Sequence, residues 1–186
     1  MTFIQQWWKN PLAMSSVAPS GRQLASLMVD ALPAGARRVV ELGAGTGAIT
    51  RALVDRPAGA DHLLVVEMNP VLHEILLQEF PCVRVACGDA RQLDELLLQH
   101  GAFEPGHGDA VVSSLGLLPM PVSVQRTIMA AAFEAMHPEG VFVQYTYGLA
   151  PPVAPEVAED LGLRCERLGT AWLNLPPARV FVYRRA

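Results

Sequence analysis

RRVVELGAGTGAIT, residues 37–50, decides the fold. A β-branched apolar run closes on a carboxylate, Glu41, and breaks at once into a turn with glycine at 43, 45 and 47. A buried strand that ends in glycines and passes into a helix is the opening unit of a parallel α/β sheet. Glycine in such a turn admits positive φ and lets a ligand approach bare backbone. The spacing is G-x-G-x-G, which differs from the G-x-G-x-x-G of dinucleotide-binding turns. A carboxylate beside the turn repels a pyrophosphate and attracts a cation.

Working outward, apolar strand patterns alternate with helical ones. Strands are expected at HLLVVEM (62–68), CVRVAC (82–87), GDAVVSS (108–114) and GVFVQYTY (140–147). Helices are expected at 46–55, from Pro70 to Glu79, at 90–100 and at 122–136, with a short one near 154–161. Before the glycine turn, residues 20–31 read as a helix with Ser20 as N-cap. The last two strand patterns, LRCERLG (163–169) and ARVFVYRR (178–185), are too close for a crossover and are expected to pair antiparallel at one edge. The expectation is a three-layer, doubly wound α/β domain over residues 1–186, with a seven-stranded, mostly parallel sheet.

Ligands of such sheets sit at the carboxyl ends of the strands. Glu67 ends the second strand, where a carboxylate can accept hydrogen bonds from ribose hydroxyls. GDA, Gly88 to Ala90, follows the third, where Asp89 can receive an adenine amino group. With Glu41 beside the turn, a sulfonium carrying an amino acid tail fits and NAD does not.

Composition narrows the class. The chain has 186 residues, 51% hydrophobic and 17% charged, with net charge −4. No apolar run reaches the roughly 18 residues of a membrane span. An acidic balance argues against nucleic acid as a partner. Cys82, Cys87 and Cys165 form no CxxC and fit buried thiols of a reducing cytoplasm. No two of the five histidines are spaced as metal ligands, so no metal is expected. His73 is read as partly exposed and His137 as a helix-end residue.

The order of these features resembles the class I S-adenosylmethionine-dependent methyltransferases over about residues 37–145. The resemblance implies that Glu41, Gly43, Ala44, Gly45 and Gly47 shape the methionine end of a site for S-adenosylmethionine, whose product is S-adenosylhomocysteine. It implies that Glu67 holds the ribose, that Met68 packs on adenine beside Gly88, Asp89 and Ala90, and that Ser113 and Ser114 border the sulfonium and the acceptor. The flanks FIQQWWKNPLAMSSVAPSGRQLA (3–25) and WLNLPPARVFVYRR (172–185), with FVQYTYG (142–148) between, resemble the bacterial phospholipid N-methyltransferases, which methylate phosphatidylethanolamine stepwise. That family usually carries S-G-L-P-L-L after strand four; here the segment is SSLGLLPMP, differing at Ser114 and Gly116.

A lipid amine suits the remaining residues. Tyr145 and Tyr147 stand two apart on strand five and share a face, and aromatic faces attract methylated ammonium groups. With Ser113 they are the candidate catalytic residues. Trp172 and Asn174 are candidate walls of the acceptor site with Ser114, and Arg179 a candidate for the lipid phosphate. In residues 1–32, expected to form a helical lid or membrane-contact segment, Ile4, Trp7 and Trp8 follow helical spacing beside Phe3 and Lys9. Trp and a basic neighbour favour an anionic bilayer surface. The expected location is therefore cytoplasmic, peripheral to the inner face of the membrane. Transfer to a small amine or an RNA adenine, or binding of the cofactor without catalysis, remain alternatives.

Overall fold

The computed structural model describes residues 19–56 and 62–186. The membrane-contact expectation at Phe3 to Lys9 lies outside them. Seven strands form one sheet in the order β3-β2-β1-β4-β5-β7-β6. They are β1 (Arg38–Leu42), β2 (His62–Glu67), β3 (Arg84–Cys87), β4 (Gly108–Ser113), β5 (Met136–Thr146), β6 (Leu163–Ala171) and β7 (Ala178–Arg185). The first five run parallel. β7 runs antiparallel to both β5 and β6, so the antiparallel strand lies one place in and β6 forms the edge. The chain order reverses between β1 and β4, the switch point at which such sheets hold ligands.

Helices cover both faces. One face carries α1 (Pro19–Asp30), α2 (Ala48–Val54) and α3 (Pro70–Glu79), packed through Met28, Leu53 and Leu76 onto Val39, Val65, Val112 and Val143. The other carries α4 (Leu93–His100), α5 (Val122–Ala135) and α6 (Pro155–Asp160), whose Leu97, Met129 and Val157 meet Val40, Leu64, Val111 and Phe142. Alternating residues of the central strands are thus buried on both sides, as their unbroken apolar runs require.

Local chemistry sets the boundaries. Asn69 caps α3, its Oδ1 accepting from the Val71 and Leu72 amides at 2.9 and 3.4 Å, with Pro70 in the first turn. α1 begins at Pro19, so Ser20 lies inside the first turn and is not the N-cap. The helix expected at 90–100 divides into a 3-10 turn, Ala90–Gln92, and α4. His137 is not a helix end. Pro138 disfavours helical backbone at the residue before it, α5 stops at Ala135, and β5 starts early, with Met136 opposite Gly108. His73 is half-buried, with a ring nitrogen 3.3 Å from the Val85 carbonyl. Cys82, Cys87 and Cys165 are free thiols but exposed, not buried as expected.

Candidate active site

The exits of four neighbouring strands are tied together by backbone hydrogen bonds. Ser114 N–H donates to Leu42 O at 2.9 Å, Gly43 N–H to Val66 O at 2.8 Å and Gly88 N–H to Glu67 O at 3.3 Å. The candidate cofactor residues therefore share one rim at the carboxyl ends of β1, β2, β3 and β4.

Within the glycine turn all three glycines have positive φ, 73°, 60° and 81° at 43, 45 and 47. A Cβ on Gly43 would meet Leu115 Cδ2 at 2.8 Å, and one on Gly47 would strike the Phe80 ring. Gly45 differs: nothing lies within 4 Å of where its Cβ would be. Positive φ favours glycine at all three; at 43 and 47 an added Cβ would also press on a neighbouring side chain, while 45 borders open space. Ala44 is buried behind them.

Two carboxylates flank the turn from below. Glu67 is buried; its Oε2 accepts from Gly45 N–H and its Oε1 from Asn69 N–H, each at 2.9 Å. An ionised carboxylate has about four acceptor positions, so each oxygen keeps capacity for a hydroxyl. Glu41 is fully buried, and Thr50 Oγ1 donates to its Oε2 at 2.6 Å. Its Oε1 has no partner among the described residues. Burial pushes its carboxyl up to about 7, against the pull of the Thr50 hydrogen bonds and with a smaller push from Glu67. An unpaired buried acceptor beside an open backbone turn fits the cationic amino acid end of S-adenosylmethionine. Glu67 fits its ribose.

Asp89 caps the 3-10 turn, accepting from the Arg91 amide at 2.9 Å and from its guanidinium. Arg91 holds its carboxyl below the usual range, although burial acts in the opposite sense. Met68 is exposed beside it and Ala90 buried. Gly88 packs so tightly that an added Cβ would lie 2.7 Å from Leu96 Cδ2.

On the acceptor side, Ser113 is fully buried and its Oγ accepts from Leu115 N–H at 3.3 Å, which commits it to the β4 exit. Tyr145 shares the sheet face of Val143 with α1 and α2, and its ring meets Tyr147 edge-on at 5.6 Å. Burial, then the Tyr147 hydroxyl, raises the Tyr145 phenol above its ordinary value, so it stays protonated at neutral pH. Tyr147 is exposed. The structure does not bring Arg179 to this face. Val180 stands opposite Tyr145, which turns Arg179 to the other side, where it donates to Gly148 O at 3.1 Å. Trp172 projects outward, whereas Asn174 is buried with Oδ1 unpaired among the described residues.

Two glutamines not anticipated from the sequence hold the acceptor-side loops. Gln144 Nε2 donates to Leu115 O and Tyr145 O at 2.8 and 2.9 Å. Gln125 Nε2 donates to Leu117 O and Met120 O, both at 3.1 Å, and its Oε1 accepts from Ala154 N–H at 2.8 Å. An amide inside the apolar run VFVQY was the available signal for Gln144. Thr50, nine residues beyond Glu41, gave none. Among the described residues no cluster of three or more His, Cys, Asp or Glu could hold a metal ion.

Comparison with known proteins agrees with this geometry. Residues 39–140 match the family model described as methyltransferase domain. An ornithine lipid N-methyltransferase of Singulisphaera acidiphila is 34% identical over 148 residues, covering 77% of this chain and 76% of its own. Among solved structures, the N-methyltransferase NodS of Bradyrhizobium japonicum, in complex with S-adenosylhomocysteine, superposes with TM-score 0.69 at 16% identity, covering 97% of each chain. A TehB-like methyltransferase of Corynebacterium glutamicum gives TM-score 0.62 at 20% identity, over 99% of this chain and 96% of its own. At those identities the two structures share the fold. With the glycine turn, the paired acidic residues and the strand order, the family match makes this chain a member of the class I S-adenosylmethionine-dependent methyltransferases.

Proposed function

We propose that this protein N-methylates the free amine of a membrane lipid. The observation that carries the reading is the 34% identity, over three quarters of both chains, to an enzyme named for that reaction on ornithine lipid. The lipid-enzyme resemblance of both flanks supports the same class. Phosphatidylethanolamine and an ornithine-headed lipid each present a primary amine; the relative's name favours the second.

The cofactor supplies an electrophilic methyl group on a sulfonium. The task left to this chain is alignment and exclusion of water. Glu67 and the glycine turn would hold the donor, and Glu41 would offer its unpaired oxygen to the ammonium end. A primary amine has a pKa of roughly 10 and must lose a proton before it attacks. Tyr145 is protonated and Ser113 is engaged with Leu115 N–H, so neither takes it; the proton leaves through the open rim to water. One methyl is gained and one proton released per turnover. Tyr145 and Tyr147 act as aromatic walls that favour the amine as methyls accumulate and its charge becomes less hydrated. Arg179 acts on the acceptor side by fixing Gly148.

Labelled methyl transfer to vesicles containing phosphatidylethanolamine or ornithine lipid, beside a small amine and RNA, tests this. Label in the lipid fraction, resolved by thin-layer separation, is expected. Label only in the small amine or RNA would move the protein to another acceptor class. Cofactor binding with no transfer to any of them would leave a binding protein.

A further inference from the structure

Three segments beyond the carboxyl ends of the strands, 114–121, 147–154 and 172–177, contain no charged residue. They are neighbours. Arg179 reaches Gly148 O from the start of β7, and a Cβ on Gly148 would lie 3.1 Å from Leu118 Cδ2. Ala171 pairs with Ala178, so the turn at 172–177 joins β6 to β7, the strand directly beside the exit of β5. From these segments Leu118, Tyr147, Leu149, Trp172, Leu173 and Leu175 face solvent, with Leu149 81% and Leu175 97% exposed. Scattered exposed apolar residues are ordinary, but an uncharged belt of them marks a contact surface.

Three arginines stand around the belt, against one exposed carboxylate, Glu156 in the first turn of α6. Arg22 is exposed on α1 beside Gln23, whose Oε1 accepts from Leu173 N–H at 2.9 Å. Arg167 is exposed and donates to Thr170 Oγ1 near the end of β6 at 2.8 Å. Arg179 lies at the start of β7.

We propose that this belt is the surface by which the protein rests on a bilayer containing anionic lipid. Trp172, Leu173, Leu175 and Leu149 enter the boundary between headgroups and acyl chains, and the exposed Arg22 and Arg167 face the phosphates. Trp is suited to that depth, and apolar insertion backed by cations is how peripheral proteins bind anionic surfaces. A second copy of the chain fits less well. A two-fold contact would set arginines of the two copies together, whereas a phosphate surface neutralises them. The inference rests on the aminolipid reading, because the belt borders the acceptor side of the cleft and lets a lipid amine reach it from the membrane.

Sedimentation of the full chain with phosphatidylcholine vesicles, with and without phosphatidylglycerol, tests the proposal. Leu149→Glu and Leu175→Glu should each lower partitioning by roughly tenfold or more, and binding should weaken without the anionic lipid. Both variants should keep cofactor affinity by calorimetry and methylation of a short-chain, water-soluble form of the acceptor lipid. Sedimentation of the double variant equal to wild type overturns the belt as the membrane surface. So does analytical ultracentrifugation showing a wild-type dimer that the substitutions dissolve. If the variants lose vesicles while wild type methylates no lipid at all, the surface stands and the aminolipid reading falls.

Discussion

The two edges of the sheet are built from opposite chemistry. At the amino edge charges meet partners. Asp109 accepts from the Arg37 and Arg38 amides, both at 2.8 Å, and from the Arg38 guanidinium at 2.9 Å, with His137 3.5 Å away. Arg185 donates to the Phe133 and His137 carbonyls and lies over the Phe133 ring. At the carboxyl edge the outer loops carry no charge, and buried acceptors go unused. Glu41 Oε1, Gln144 Oε1 and Asn174 Oδ1 are the buried side-chain atoms without partners among the described residues, and all three lie toward that edge. Leaving a buried polar atom unmade costs roughly 1–3 kcal/mol. One edge is satisfied and stabilises the fold; we propose that the other holds acceptors in reserve for a ligand.

The largest effect that could break this contrast is at Glu67. Glu67→Ala removes the proposed acceptor for two ribose hydroxyls and the anchor of the Gly45 amide. Charge-assisted hydrogen bonds are worth roughly 1.5–3 kcal/mol each, so the cofactor dissociation constant should rise by about two orders of magnitude or more. Calorimetry that finds the affinity unchanged removes Glu67 from the site and the reserve from that edge.

Glu41 sharpens the contrast through pH. Its ordinary value of 4.5 is raised to about 7 in the fold, chiefly by burial. The unfolded chain therefore loses this proton first as pH rises, and the native state becomes less stable between about pH 4.5 and 7, then level above. Glu41→Gln removes the titration. The unfolding free energy of the variant relative to wild type should shift in its favour by roughly 3 kcal/mol from acid to pH 8. Wild-type affinity for the cofactor should fall as pH drops through 7, because a protonated Glu41 does not attract an ammonium. Denaturant titrations at the two pH values check the first claim and calorimetry the second; a pH-independent difference would mean Glu41 is ionised throughout.

Asp109 tests the other edge. Burial opposes its ionisation, but the hydrogen bonds from the Arg38 and Arg37 amides outweigh it and hold the carboxyl below its usual range. Asp109→Ala should cost roughly 1–3 kcal/mol of stability at neutral pH, shrinking as pH falls through the depressed native value. Cofactor affinity should not change. A loss of affinity equal to that of Glu67→Ala would abolish the division between the edges.

What the sequence discloses and conceals follows the same physics. The glycine turn, the alternation of strands and helices, and Glu67 at a strand end are local patterns, and the structure has them where they were read. Glu67 bonding Gly45 across 22 residues is not local, nor is Thr50 capping a buried carboxylate. The face on which Arg179 lies depends on the register of β7 against β5, which no stretch of sequence contains. β5 starts early because pairing with Gly108 recruits Met136, a contact between distant segments.

The smallest expected effect is at Tyr147, where the carboxyl edge turns from cofactor to acceptor. The ring is 45% exposed and stands edge-on to Tyr145. A cation–π contact at an exposed site is worth about 0.5–1 kcal/mol, so Tyr147→Ala should raise the acceptor KM only about two- to fivefold. Cofactor affinity should be untouched, since Tyr147 follows the end of β5, away from the turn at residues 43–47. The penalty should grow when the acceptor is already mono- or dimethylated, because a less hydrated cation depends more on an aromatic face. Tyr147→Phe keeps the face and should behave as wild type. Initial rates with unmethylated and dimethylated acceptor lipids, at saturating cofactor, separate the cases. If Phe is as damaging as Ala, the hydroxyl toward Tyr145 matters and the ring does not. The acceptor wall would then have to be built from Tyr145 alone.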